Sequence, residues 1–385
     1  MGGRTLGCGA LMVSISLIVL ATSGWAAYVE EEFKDASPPA TSTIVRPMPP
    51  LPPSGHVPEL ARYLDRLEIR RPLVYGRLAV YPVVLRGGGP LGGSWWTMDA
   101  AFAKGILLVM EKEGGGSVPV VVMENRSRTD HVFVMAGEVV SGGKQTRTMR
   151  QDVLLAPGQR IEVPVFCVEQ HRWKGDVGFS ASGVLVPQSI QKEMRKGAAQ
   201  DAVWSEVARS NAALGADSAT GSLEHGLKAA PVRRELDEVR RVIMPEVPGE
   251  SVGFIFADRF GRRGLGAEFF GRADLARALL PKLIDAYAVD LVVPMKGDRD
   301  RGLMAEDAAR DFLNRIRSAG SYRSETPGSG AGLRMRAGGL VGDGVSLGDG
   351  LVHFGCQVED RIVPEPAPLP HPMPRPLPPG GGMRE

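Results

Sequence analysis

Between residues 60 and 358 apolar side chains recur either every second position or every third to fourth, and outside those limits the pattern stops. Leu60 to Leu67 predicts a short lead-in helix, and LVYGRLAVYPVVL at 73–85, rich in β-branched and aromatic residues, predicts strand. The Gly-rich RGGGPLGG at 86–93 is a loop. Thr97 as N-cap, Asp99 in the first turn and Gly105 just past the end predict a two-turn helix over 98–104. Strands are expected over 106–111 and 118–124, separated by Gly114-Gly115-Gly116, and again over 131–136. Asp152–Leu155 and Gln159–Phe166 predict two more strands, joined by the turn Ala156-Pro157-Gly158.

The period then lengthens. Residues 188–196, 201–214 and 232–243 read as helices, with Val203 and Val207 on one stripe and Trp204 beside it. Residues 251–270 resemble a hairpin turning near Asp258 to Gly261. A long helix follows over 273–288, where Leu275, Leu279, Leu283 and Ala286 keep helical spacing. Another covers 305–317, with Ala308, Ala309, Phe312, Leu313 and Ile316 on one face. Short Gly-punctuated strands over 322–358 close the unit. The fold class is α+β: a single domain over 60–358, with a β-rich lobe at 70–180 packed against a mixed helix and strand lobe at 188–358.

The flanks have a different composition. Arg4 precedes an uncharged apolar run up to Ala21, and Gly24-Trp25-Ala26 offers small residues at a cleavage site, so residues 1–26 read as a secretory signal peptide. Leu11 to Ala21 is short for a bilayer crossing, and no stable membrane span is expected after cleavage. Cys8 precedes the apolar run, which argues against a lipoprotein. The Pro-rich segments 27–59 and 359–385 cannot bury enough apolar surface to fold and read as extended tethers. The mature chain is expected to be periplasmic or secreted. Over the full 385 residues, 43% apolar and 23% charged residues are those of an ordinary globular protein, and a net charge of +2 gives no case for a nucleic-acid partner. Cys167 and Cys356 remain after cleavage, and whether they pair stays open.

Candidate chemistry concentrates in residues 137–173. Gly142-Gly143-Lys144 invites a phosphate-loop reading, but Gly143 intervenes before the lysine and Gln145 replaces the Ser or Thr that holds magnesium. A more general anion-binding turn survives that test. Lys144, Arg147, Arg150, Arg160, Arg172 and Lys174 outnumber Glu138, Asp152, Glu162 and Glu169, which suits either an anion clamp or internal ion pairs. Cys167, Glu169 and His171 alternate as on one face of a strand, a spacing open to a metal or a thiolate nucleophile. Against that, Pro164 interrupts the strand, a fourth ligand such as Glu138 or His131 has to come from elsewhere, and a buried structural Cys167 is the simpler reading. No metal site or cofactor follows. Glu138 and Glu169 are the candidate acid–base pair, while Gly142, Gly143, Lys144, Gln145, Arg147, Gln170, Arg172 and Trp173 are the candidate ligand contacts.

Several of these residues also carry a resemblance. Gly137-Glu138, Gly142 to Gln145 with Arg147, Val163-Pro164-Val165, Cys167-Val168-Glu169-Gln170 and Arg172-Trp173 resemble the ARG and rhodanese-phosphatase-superfamily-associated protein domain family. Gln200 to Glu206, Ala286 to Ala288 and Leu351-Val352-His353 agree as well, so the likeness spans roughly residues 70–358. His171 stands where the family is expected to have glycine. The resemblance implies a setting near ADP-ribose or phosphoester metabolism rather than a reaction. Two functions are therefore expected to compete. One is binding of, or action on, an anionic phosphate- or ADP-ribose-like small molecule; the other is a non-catalytic extracytoplasmic structural or interaction module whose polar motif is an internal network.

Overall fold

Pro58 opens the first helix among the described residues, where its fixed φ suits the first turn and its missing N–H costs nothing. In the computed structural model the described residues are 55, 57–112, 119–172, 174–175, 178–216, 218–260, 265–291 and 307–359. The signal-peptide segment, most of the first tether, the Gly114–Gly116 turn, Trp173 and nearly all of the tail lie outside them.

The chain runs through α1 (Pro58–Leu64), β1 (Leu67–Ile69), β2 (Leu73–Tyr75), β3 (Leu78–Leu85), β4 (Trp95–Thr97) and α2 (Met98–Ala103). A run of strands follows: β5 (Leu107–Glu111), β6 (Val120–Asn125), β7 (His131–Val134), β8 (Glu138–Gly142), β9 (Arg147–Met149), β10 (Val153–Leu155), β11 (Arg160–Cys167) and β12 (Phe179–Leu185). Helices then take over as α3 (Gln188–Lys196), α4 (Gln200–Ala213), α5 (Leu223–Lys228) and α6 (Ala230–Ile243). Strands β13 (Ser251–Asp258) and β14 (Gly266–Phe270), helices α7 (Ala273–Leu291) and α8 (Ala308–Ser318), and strands β15 (Ser321–Ser324), β16 (Ala331–Ala337), β17 (Leu340–Leu347) and β18 (Gly350–Val358) complete the α+β fold. No helix among the described residues is long and apolar enough to cross a membrane.

Six strands form one antiparallel sheet in the order β12-β8-β9-β11-β6-β5, and a bridge between Met110 and Gly178 joins its two edges, so it closes on itself. Val109, Met123, Val140, Met149 and Val163 fill its interior. Pro164 does not end β11. It marks the point at which the strand changes partner, from β6 over residues 160–164 to β9 over residues 165–167. A residue without an N–H is tolerated there because one ladder is ending and the next has yet to begin. The three-stranded sheet β10-β7-β4 packs beside it. The predicted turn at Ala156-Pro157-Gly158 exists, but the strands it joins do not pair: β10 lies against β7, and β11 against β6 and β9.

The third sheet has nine strands and draws on both ends of the domain. β3 pairs with β1 and β2 on one side and with β13 on the other, and the sheet continues through β14, β18, β17, β16 and β15. Residues 73–85 thus join the C-terminal strands, although chain order groups them with the β-rich segment that follows. Alternation along β3 sends Ala79, Tyr81 and Val83 to a core with Leu60, Tyr63, Phe312 and Ile316 of α1 and α8. Leu78 and Val80 face the opposite core, with Leu279, Leu283 and Tyr287 of α7. Because apolar elements cover both faces, any charge on a central strand of this sheet is removed from water.

Candidate functional site

The polar groups of residues 137–172 are bonded within the fold, to one another and to Glu111, Thr220, Glu224 and Lys282. Glu138 is fully buried at the start of β8. Its carboxylate accepts the Met135 N–H at 2.8 Å and meets Lys282 Nζ of α7 at 2.6 Å, and the same ammonium contacts Asp99 of α2 at 2.6 Å. Burial pushes the Glu138 carboxyl up and Lys282 opposes it, while the two carboxylates outweigh the effect of burial on Lys282 and hold its ammonium protonated. The arrangement fastens α7 to α2 and to the barrel.

The turn after β8 has its own anion. Gly143 N–H donates to Gly178 O at 3.1 Å and Lys144 N–H donates to Glu111 Oε1 at 2.9 Å, so one amide of the turn holds a carboxylate from β5 and the other a backbone carbonyl. Gly143 has φ +55°, and a Cβ there would overlap both the Phe179 ring and the Glu111 carboxylate. The glycine is therefore required by a close internal approach. The turn's carbonyls are taken as well, since Arg172 donates to Gly143 O at 2.9 Å, to Gly142 O at 3.3 Å and to Lys174 O at 2.9 Å.

Arg172 Nε also donates to Glu169 Oε2 at 2.8 Å. That oxygen accepts from the Thr146 N–H at 3.1 Å and its hydroxyl at 2.9 Å, and Oε1 accepts from the Thr220 hydroxyl at 2.9 Å. Burial works to raise the Glu169 carboxyl, but these bonds outweigh it and hold it below the usual carboxylate range. It is a settled anion.

Arg147, among the largest fully buried side chains, donates to Gln145 Oε1 at 2.7 Å and to the Cys167 sulfur, with Glu111 3.8 Å away. Gln145 Nε2 donates to Gln170 O at 3.3 Å, whereas the Gln170 residue itself is exposed. Cys167 is buried and its thiol is pushed up to about 11, mainly by burial, which disfavours a thiolate nucleophile. Gln200, at the start of α4, donates to Cys167 O at 2.9 Å and accepts its N–H at 2.8 Å, taking the place of a strand neighbour. Cys167, Glu169 and the exposed His171 are not gathered as a ligand set, and His131 stacks on Trp95 with ring centroids 4.8 Å apart. Cys356 is a second free, buried cysteine, so the two thiols do not pair.

A second polar cluster lies deeper and was not anticipated as a site. His353 of β18 sits between Asp152, 2.7 Å from Nδ1, and Glu268 of β14, 3.1 Å from Nε2. Arg195 of α3 donates to both oxygens of Glu268 at 3.1 and 3.0 Å and to Asp343 of β17 at 2.7 Å; Tyr287 of α7 donates to Glu268 at 3.1 Å. Burial alone would lower the His353 pKa, yet Asp152 and Glu268 raise it to about 9, so the ring is an imidazolium at neutral pH. Three carboxylates then face His353, Arg195 and, at 3.8 Å from Asp343, Arg334. A Cβ at Gly355 would overlap Arg195 and Glu268, which explains a glycine in the middle of β18. The legible signals were Glu268 in GAEFF, Asp343 in LVGDGVSL and His353 in LVHFG, each a lone polar group within an apolar strand.

Fold and site together define an α+β protein with two polar clusters built into its interior. The chain belongs to the ARG and Rhodanese-Phosphatase-superfamily-associated Protein domain family, whose model matches residues 66–356. That description gives an association and no reaction. Neither the curated proteins nor the solved structures contain a match to the chain.

Proposed function

We propose that this chain is a non-catalytic structural or interaction module working outside the cytoplasm, in which residues 137–173 form an internal network that holds the barrel to its helices. One observation carries the reading: the amides of the 142–144 turn are already taken within the protein, the Lys144 N–H by the Glu111 carboxylate and the Gly143 N–H by the Gly178 carbonyl. An anionic phosphate- or ADP-ribose-like ligand at that turn has to displace Glu111. Contact with Arg147 also requires removing that guanidinium from Gln145 and Cys167 inside the fold. Both candidate acid–base groups are committed too, Glu138 to Lys282 and Glu169 to Arg172, Thr146 and Thr220. Export is supported by Arg4, the apolar run that follows it and the Pro-rich tether.

The test is thermal unfolding of Glu138→Ala in the presence and absence of ADP-ribose, sugar phosphates and nucleotides. A network role predicts a loss of about 3–5 kcal/mol, as when one partner of a buried pair is removed, and no ligand-dependent shift in the wild type. Near-normal stability of Glu138→Ala, together with a ligand shift that Lys144→Ala abolishes, would replace this reading with the anion-binding one.

A further inference from the structure

Away from both clusters, β12, α5, α6 and α7 line a half-open cavity of ≈ 320 Å³. Leu227, Leu236 and Val289 give it buried aliphatic walls. Lys228, Arg233, Arg240 and Asp285 supply its charged groups, so cations outnumber carboxylates. Glu224 engages Lys228 at 2.5 Å, and Arg240 is shared between Asp237 and Asp285. Arg233 is exposed at the rim, and its charge acts on Asp285. The Asp285 carboxyl is pushed up to about 6, mainly by burial against the opposing pull of Arg240. A metabolite-sized cavity with a mixed polar and aliphatic lining, convergent arginines and a perturbed carboxyl has the composition of a ligand site rather than a packing defect.

We propose that this cavity binds a small organic anion, with an apolar body against Leu227, Leu236 and Val289 and an acidic group held at the rim by Arg233, beside the ion-paired Arg240. The aliphatic walls select the apolar body through the area they take out of water. Arginine forks suit a carboxylate, phosphate or sulfonate equally, so the class is defined by an anion attached to an apolar group. Asp285 on the same wall opposes a second negative charge deeper in the cavity. The site lies outside residues 137–173 and does not rest on the network reading.

The probe is 8-anilinonaphthalene-1-sulfonate, an aromatic sulfonate whose fluorescence reports an apolar site, titrated into the full chain under native conditions. The expected result is saturable binding to the folded protein, weakened about tenfold or more by Arg233→Glu, a change of roughly 1.4 kcal/mol. Asp285→Asn tightens binding by removing the competing charge, and Lys144→Ala leaves it unchanged. Near-UV circular dichroism confirms that each variant stays folded. Absence of saturable binding, equal affinity in Arg233→Glu, or loss of binding in Lys144→Ala would each overturn the proposal. None of these outcomes bears on the stability of Glu138→Ala, so the two readings fail separately.

Discussion

Glu169 takes its bonds from Thr146, Arg172 and Thr220 near the barrel rim, whereas Glu268 takes its bonds from Arg195, Tyr287 and His353 in the centre of the molecule. The side-chain chemistry is similar, but the depth is not: the Arg172 side chain is 28% exposed and that of Arg195 only 2%. Water can replace a lost partner at the rim, and it cannot at the centre without opening the fold. The two clusters should therefore differ in cost, in pH response and in tolerance to substitution.

The largest effect is expected from Arg195→Ala, which leaves Glu268 and Asp343 buried without the guanidinium they share. Chemical denaturation should show a loss of about 3–5 kcal/mol. A loss below about 1 kcal/mol would erase the contrast between rim and centre. His353 provides the next effect. Its folded pKa, about 9, lies above its ordinary value of 6.5, so the folded state holds the proton more tightly. Its contribution to stability is complete below the unfolded pKa and is lost as pH rises through the folded one. Urea unfolding across that window should show a decline on the order of 3 kcal/mol, and His353→Gln should flatten the slope. A wild type equally stable at both ends would contradict the charged ring.

Arg172→Ala should cost less, about 1–2 kcal/mol. A double-mutant cycle with Glu169→Gln isolates how much of that loss belongs to the pair. A coupling as large as that between Arg195 and Glu268 would mean the rim behaves like the centre. The smallest effect is expected at Lys144, a partly exposed residue whose backbone N–H, kept in any substitution but proline, donates to Glu111. Lys144→Ala keeps that amide and should change stability by less than about 1 kcal/mol. A larger loss, measured by thermal unfolding, would assign the side chain a role in the network.

Local patterning identified most elements because period and caps act within a few residues. Thr97 and Gly105 flank α2 as expected, although the Thr97 side chain makes no capping hydrogen bond and the helix ends at Ala103, and the spacing of Leu275, Leu279 and Leu283 marks the face of α7 buried under the nine-stranded sheet. Pairing was harder to see. Nothing local to LVYGRLAVYPVVL indicates that its neighbour is Ser251–Asp258, or that the strands flanking Pro157 lie in different sheets. The same limit governed the sites. The crowded motif at 137–173 is visible because its members are close in sequence, yet the identity of its anion depends on Glu111, which arrives from β5. The central cluster is harder still, since Arg195, Glu268, Asp343 and His353 are scattered over the chain: the three strand residues each look solitary, and Arg195 is one of several charges on its helix.

The sequence by itself determined the α+β class, the order of the longer helices and strands, the Pro-rich composition of the flanks and which residues crowd the 137–173 motif. These follow from composition and short-range periodicity. Tertiary structure alone decided that Gly143 makes room for Glu111, that Gly355 makes room for Arg195, and that His353 lies between two carboxylates. The physical reason is desolvation: whether a charged side chain is a solvated handle or part of a sealed network depends on what covers it, and the covering elements come from distant parts of the chain.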